Sequence, residues 1–225
     1  MVRRKMNKIT FCLTSCNRFN LLQKTLDSFF NLNTYPIERF IVTEDSGNLE
    51  MKSKIEKRYG NKIELIFNNK NLGLLQSIDN MYNMVKTEYI FHCEDDWLFR
   101  NNSFFVSNSV DILDEYKNIN QVWLIPGEDW LEEQLLKTKT NVQFRYVKVP
   151  HCGAWCGFSF NPGLRRLSDY KRLFPEGFIK YIVPNKAIVH SECSCNKHAL
   201  KEGYRTVALI NHACEHIGSK QSTYK

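Results

Sequence analysis

The sequence predicts an α/β protein with a mainly parallel central sheet and helices on both faces. Short apolar runs of strand character alternate with segments whose apolar residues recur at helical spacing, and the connections between them are short. That alternation implies right-handed crossovers, which lay helices over a parallel sheet. Three of the predicted strands also end in polar or acidic clusters, "TSCNR" at 14–18, "EDSG" at 44–47 and "EDDW" at 94–97. Ligands of open α/β sheets collect at the carboxyl ends of strands, so these clusters should face one crevice.

The elements follow in order. Residues 8–14 read as a strand, Asn20 with Gln23 three residues later as a helix cap, and Leu22, Leu26, Phe29 and Phe30 as one helical face. Residues 39–43 form the next strand, 49–59 a helix stopped by Gly60, and 63–67 a third strand. Leu75, Ile78, Met81, Tyr82 and Val85 line a third helix, and 89–93 form a fourth, buried strand. The second half is less regular. It reads as a helix at 103–116, strands at 122–126, 142–149 and 154–160, helices at 164–173 and 192–202, and a last strand at 206–210. The stretch "PGEDWLEEQLLKTKTN" reads as a loop or small helix over the crevice. No repeat, low-complexity tract or flexible linker interrupts the chain, which predicts one domain with two subregions.

Composition narrows the classes of function. The 225 residues are 43% hydrophobic with only ten Gly and six Pro, enough for a sizeable core. No run approaches the roughly 18 apolar residues of a membrane span, and the basic start "MVRRKMNK" lacks the apolar stretch of a secretion leader, so a soluble, cytoplasmic protein is expected. The formal charge of +7, from 31 Lys and Arg against 24 Asp and Glu, favours an anionic partner. A phosphorylated ligand or an anionic membrane surface qualifies; nucleic acid is not expected, because no recognisable binding module is present. The eight cysteines should be reduced, and Cys152, Cys156, Cys193 and Cys195 lack the paired spacing of structural zinc modules.

Three carboxylates at one strand tip repel each other, and solvent, a basic side chain or a cation must offset the cost. Hard oxygen ligands there suit Mg2+ or Mn2+, which bind through one or two carboxylates and substrate phosphates. Acids after a strand also cap helices or simply face water.

The motifs "ITFCLTSCNRFNLLQKTLDSF", "FIVTEDSG", "NKNLGLLQSIDNMYNMVKTEYIFHCEDDW" and "HSECSCNKHALKEGYRT", with a late "HIG" at 216–218, decide further. In that order they resemble the nucleotide-sugar glycosyltransferases of the GT-A fold, inverting family 2 type. The resemblance implies a nucleotide-binding part at about 1–100 and an acceptor and catalytic part at about 101–225. It implies that Thr14, Arg18, Asp45, Asn71, Gly73 and Asp95 bind the donor, with Asp45 on the uracil or ribose and Asp95 on the ribose. Asp96 and His216 would hold Mn2+ or Mg2+, the imidazole favouring manganese, with His212 and Glu215 as rivals of His216. Glu192, where the family usually has Asp, would be the general base. Trp155 and Asp129, with Trp130 beside it, would face the acceptor, while Phe158 and Phe160 suit core packing.

The expected activity is transfer of a sugar from a nucleotide-diphosphate donor, first of all a UDP-sugar, to an acceptor hydroxyl with inversion. A glycan or lipid-linked acceptor and peripheral membrane association go with it by analogy. Two rivals remain. A sugar-phosphate nucleotidyltransferase needs a glycine-rich phosphate loop after the first strand, where this chain has "TSCNRFN". A non-catalytic carbohydrate-binding protein of the same fold would release no UDP from a donor.

Overall fold

The computed structural model describes residues 6–125, 127–149 and 157–218. Strand β1 (Ile9–Ser15) is buried along its whole length and is followed by helix α1 (Phe19–Leu32), whose Leu21, Leu22, Thr25, Leu26 and Phe29 are buried. The helix starts before the expected Asn20 cap. Asn17 turns the chain with φ 59°, Arg18 takes the cap position, and its carbonyl accepts from the amides of Leu21 and Leu22, so Asn20 lies inside the first turn. Then come β2 (Arg39–Glu44), α2 (Leu49–Tyr59), β3 (Glu64–Phe67), α3 (Leu74–Asn83) and β4 (Tyr89–Glu94). Asn48 caps α2 by accepting from the Glu50 amide at 2.9 Å.

The second half adds β5 (Trp97–Phe99), α4 (Phe105–Glu115), β6 (Ile119–Trp123), a 3₁₀ turn (Glu128–Trp130), β7 (Leu136–Lys137) and β8 (Gln143–Tyr146). After these come β9 (Gly163–Arg166), α5 (Leu167–Leu173), a 3₁₀ turn (Phe178–Tyr181), α6 (Ile188–Lys201), β10 (Arg205–Leu209) and β11 (Cys214–His216). The main sheet has the order β3-β2-β1-β4-β9-β6-β10-β8-β7, and β5 pairs with β11 apart from it. Only β8 and β9 run against the other seven strands, so the sheet is mainly parallel as expected.

Two readings of the second half are corrected. Residues 163–166, expected partly in a helix, form β9 because they fill the gap between β4 and β6, pairing Arg165 with Ile90 and Leu164 with both Phe91 and Val122. Residues 157–160, expected in a strand, are irregular; the rest of that predicted strand, with Trp155 and Cys156, and Cys152 before it lie outside the described residues.

The sheet separates two apolar layers. On one face Phe11, Phe29, Phe91, Phe99 and Phe105 interlock, with Phe29 edge-on to Phe99 at 5.1 Å. On the other, Ile78 and Tyr82 of α3 pack with Phe158, Phe160, Tyr170, Phe174 and Phe178, so both expected core phenylalanines are core. Asp79 fastens this second layer: its carboxylate accepts from the Tyr170 hydroxyl at 2.8 Å and from the amides of Phe178 at 2.8 Å and Ile179 at 2.9 Å. Gly177 precedes them with φ +81°, and an added Cβ would stand 2.5 Å from an Asp79 carboxylate oxygen.

Gly177→Ala should therefore lower stability by about 1–3 kcal/mol through backbone strain and loss of the Asp79 contacts. Urea unfolding measures it, and parental stability would mean that the turn does not depend on Asp79.

Candidate functional site

The three polar strand ends converge. In the sheet register Thr14 lies beside Thr43 and Glu94, and Ser15 beside Glu44. Thr14, Ser15 and Glu94, together with Arg18, Asp45, Asn71 and Gly73, border a cleft of about 190 Å³ at the ends of β1, β2 and β4. This is where the strand order reverses direction from β1, the expected ligand position of such a sheet.

Asp45 is buried and fully oriented. One oxygen accepts from Asn68 Nδ2 at 2.7 Å and the Leu72 amide at 2.9 Å, the other from the Gly73 amide at 2.9 Å. The second oxygen keeps a lone pair for a ligand on the cleft side. Gly73 has φ +86° with nothing within 4 Å of an added Cβ, so its conformation, not crowding, asks for glycine. Asn71 donates to Cys16 Sγ at 3.4 Å across the cleft mouth.

The acidic triplet finds its counter-charge in the protein itself. Arg18 donates through Nε to Asp95 Oδ2 at 3.1 Å and through Nη1 to Asp96 Oδ2 at 2.9 Å, and its Nη2 pairs with Asp95 Oδ1. Expected against a nucleotide, Arg18 also neutralises the carboxylates. Ser15 Oγ adds a bond to Asp95 Oδ2 at 2.8 Å. Burial still pushes the Asp95 carboxyl up to about 6, against the pull of Arg18. Glu94 is driven higher, first by burial and then by its neighbours Asp96, Glu192 and Asp95.

Asp96 is gripped by the chain end. Its carbonyl accepts from the Ile217 amide at 2.9 Å, His216 Nε2 stands 3.4 Å from its Oδ2, and a Cβ on Gly218 would come within 2.4 Å of the same oxygen. The imidazole packs on the Trp97 ring at 5.0 Å. Its rival Glu215 pairs instead with Arg100 at 2.7 Å. Among the described residues no group of three or more His, Cys, Asp or Glu side chains is arranged to hold a metal. Asp96 and His216 nevertheless fit a divalent cation that draws further oxygens from a substrate: Asp96 Oδ1 is buried with no hydrogen-bond partner, an acceptor left open in a polar pocket.

Glu192 sits in the second turn of α6, not at its start, because the helix begins at Ile188. Its Oε1 accepts from the Phe160 amide at 2.8 Å, and burial lifts the carboxyl to about 7 while that amide and Arg165 oppose the rise. Glu192 also borders a second cleft, of about 440 Å³, walled by Trp123, Ile125, Trp130, Leu131 and Val189, with Asn161 as a polar neighbour. Trp130 is 53% exposed there. Asp129 is not among the residues walling the cleft: it is exposed on the 3₁₀ turn, and its carbonyl accepts from Lys148 Nζ at 3.0 Å. Trp155 lies outside the described residues.

Sequence reasoning missed Ser15, Asn68 and Gly218. Ser15 stands at the end of a strand already read as bordering the crevice, which was a usable signal, whereas Asn68 follows β3, whose end was not among the clusters read as facing it. Nothing local in "HIG" announces that Gly218 presses on residue 96.

The model of "Glycosyl transferase family 2" matches residues 10–158. No curated protein matches in sequence. Among solved structures, a mannosyltransferase from Pyrobaculum calidifontis in complex with GDP-Man and Mn2+ aligns with TM-score 0.69 at 13% identity, over 96% of this chain and 58% of that one. S. aureus TarS 1-349 aligns with TM-score 0.62 at 11% identity, over 92% of this chain and 59% of that one. The same protein in complex with UDP-GlcNAc gives 0.65 at 13%, over 96% and 62%. The chain thus spans about three fifths of the length of these structures, and at such identities the likeness is one of fold.

Glu94, Asp95 and Glu192 all carry folded-state pKa values above their unfolded ones. These three acids bind more protons in the folded than in the unfolded chain between about pH 4 and 7, against the opposing contribution of buried His92, whose pKa is lowered, and the stability they provide at acid pH is lost as pH rises through the folded values. The ligand-free protein should melt at a higher temperature near pH 5 than near pH 8, and Glu192→Gln should narrow the difference; a melting temperature rising across that interval would contradict the electrostatics described.

Proposed function

We propose, from the premise that the chain belongs to glycosyl transferase family 2 and has the GT-A fold, that it moves a sugar from a nucleoside diphosphate to an acceptor hydroxyl with inversion. The observation that carries the reading is the arrangement of acids around two clefts. Glu94 borders the cleft of Asp45 and Arg18, Glu192 borders the cleft of Trp130, and the charge of Glu192 helps raise the Glu94 carboxyl.

In this reading Asp45 and Asp95 hold the nucleoside, with Thr14, Asn71 and Gly73 lining its pocket and Arg18 beside the diphosphate. UDP is the first donor to try. Neighbouring structures contain both GDP-Man and UDP-GlcNAc, so the fold admits either base. Asp96 and His216 would hold Mn2+ or Mg2+, which when bound supplies positive charge to the departing diphosphate. The acceptor enters by the Trp130 cleft, where an indole face suits the C–H face of a pyranose. Glu192 takes the proton of the acceptor hydroxyl as its oxygen forms the new bond to the anomeric carbon and the bond to the diphosphate oxygen breaks. A carboxyl held near neutrality suits that task, since it is ionised enough to accept the proton and basic enough to want it. The acceptor is proposed to be a glycan or a lipid-linked sugar at a membrane surface. The net charge supports the second; among the described residues no helix is long and apolar enough to cross a membrane.

The direct test is nucleoside diphosphate release from UDP- and GDP-sugars with Mn2+ and a mixture of saccharide acceptors; no release from any donor would remove the proposal. Asp96→Ala should abolish cation-stimulated transfer while the far-ultraviolet circular dichroism is retained. Glu192→Gln should bind donor with parental affinity but turn over at least about 100-fold more slowly, in line with the loss of a general base; parental turnover would exclude it from that role.

A further inference from the structure

Arg165 on β9 is only 3% exposed, and its Nε and Nη1 are buried without a hydrogen-bond partner. A guanidinium so placed is costly unless its charge is used. Its side chain leaves the sheet on the same face as its register partner Ile90, over the layer of Tyr82 and Phe160 and beneath α6. There it makes two contacts: the guanidinium carbon lies 5.1 Å from the centre of the Phe158 ring, and Nη2 donates to the carbonyl of Ser159 at 3.0 Å.

That carbonyl belongs to the peptide unit joining Ser159 to Phe160, and the N–H of the same unit is the donor to Glu192 Oε1 at 2.8 Å. Gln121 Nε2 donates to the Ser159 carbonyl as well, at 2.8 Å, and Gln121 Oε1 accepts from the Ser159 amide at 3.3 Å. One residue earlier the Phe158 amide is held by Asn196 Oδ1 at 3.0 Å. Three successive amides, 158 to 160, are thus each fixed by a side chain, two of them on α6. A cation drawing on the carbonyl end of a peptide makes its N–H end a stronger donor, because hydrogen bonds in series polarise one another in a low-dielectric interior.

We infer that Arg165, with Gln121, is a positioning residue of the proposed base: through the 159–160 peptide it orients the Glu192 carboxylate and holds it ionised for proton transfer from the acceptor. The inference rests on Glu192 being that base. The other titratable groups facing Glu192 are Glu94 at the end of β4 and Cys195 one turn along α6. His92 of β4 shares the buried layer with Arg165, whose charge helps keep the imidazole neutral. Among the described residues the cleft side contributes uncharged groups, Trp123, Trp130, Val189 and Asn161 with them. Burial disfavours the Glu192 anion; the Phe160 amide and Arg165 favour it.

The test follows the protonation of Glu192 itself. In protein labelled with carbon-13 at the glutamate carboxyl, the resonance missing from Glu192→Gln identifies residue 192, and its titration gives a midpoint independent of turnover. Arg165→Met should raise that midpoint by about one pH unit or more, and Arg165→Lys, which keeps the charge, by clearly less. The acid limb of the kcat profile should move with it. Arg165→Gln, which can still donate to Ser159, serves as the neutral variant if the methionine form does not fold. A midpoint unmoved in the neutral variants, or moved as far in the lysine variant, overturns the assignment even if melting temperatures fall. The base reading fails separately, through parental turnover of Glu192→Gln, and would take the role of Arg165 with it.

Discussion

The ion pairing of one arginine with two adjacent aspartates holds the site of this protein together. Glu94, Asp95 and Asp96 follow the end of one buried strand, and their mutual repulsion would open that tip without a fixed positive charge. Arg18 supplies it from the first turn after β1, with a planar fork that reaches both Asp95 and Asp96. The backbone joins in: Thr25 Oγ1 donates to the Asp95 carbonyl at 2.8 Å and accepts from the Trp97 amide at 3.1 Å, so α1 and the turn after β4 share one hydroxyl. Ile217 closes the other side on the Asp96 carbonyl. Segments some 200 residues apart in sequence, 15–18 and 216–218, are thereby drawn to one strand end. Coulomb attraction in a poorly solvated pocket is strong enough to hold such an arrangement, and a ligand entering the cleft meets acids already aligned.

The first half of the chain was legible because its strands and helices are of the simplest kinds. Strands such as Tyr89–Glu94, covered on both faces, read as unbroken apolar runs, and helices such as Leu74–Asn83 show a clean apolar face. The second half was harder for a physical reason visible in "GLRRL". Two arginines in a row argue against a buried strand, yet Arg165 and Arg166 are both buried in β9 or at its end. Arg166 donates to the carbonyls of Ile119, Leu113 and Tyr116, partners that only the tertiary fold brings near. Pairing on both sides overrode local preference.

The same contrast holds for the site. Acids at strand ends announce themselves through topology: Asp45 and Glu94 border one cleft, and Asp95 and Asp96 are buried just after Glu94. Their partners are remote in sequence, as Arg18 is from Asp95 and Phe160 from Glu192, and no local pattern encodes such pairs. In the loop at 128–130, of the acid and the aromatic read as facing the acceptor, Trp130 and not Asp129 walls the cleft. The family match ends at residue 158, so the proposed roles of Glu192 and His216 rest on where the fold puts them.

β9 has a consequence for the order in which the molecule assembles. It is the reversed strand that joins β4 to β6, and it can be zipped in only when an edge exists on each side to receive it. The four strands before it, β1 to β4, are complete by residue 94, whereas β10 awaits residue 209. During synthesis the chain emerges from its N-terminus, so the pairings that need residues beyond 160 come last. A nascent chain should therefore possess its first cleft well before the two halves of the sheet are stitched together, and the second cleft marks a molecule that has finished folding.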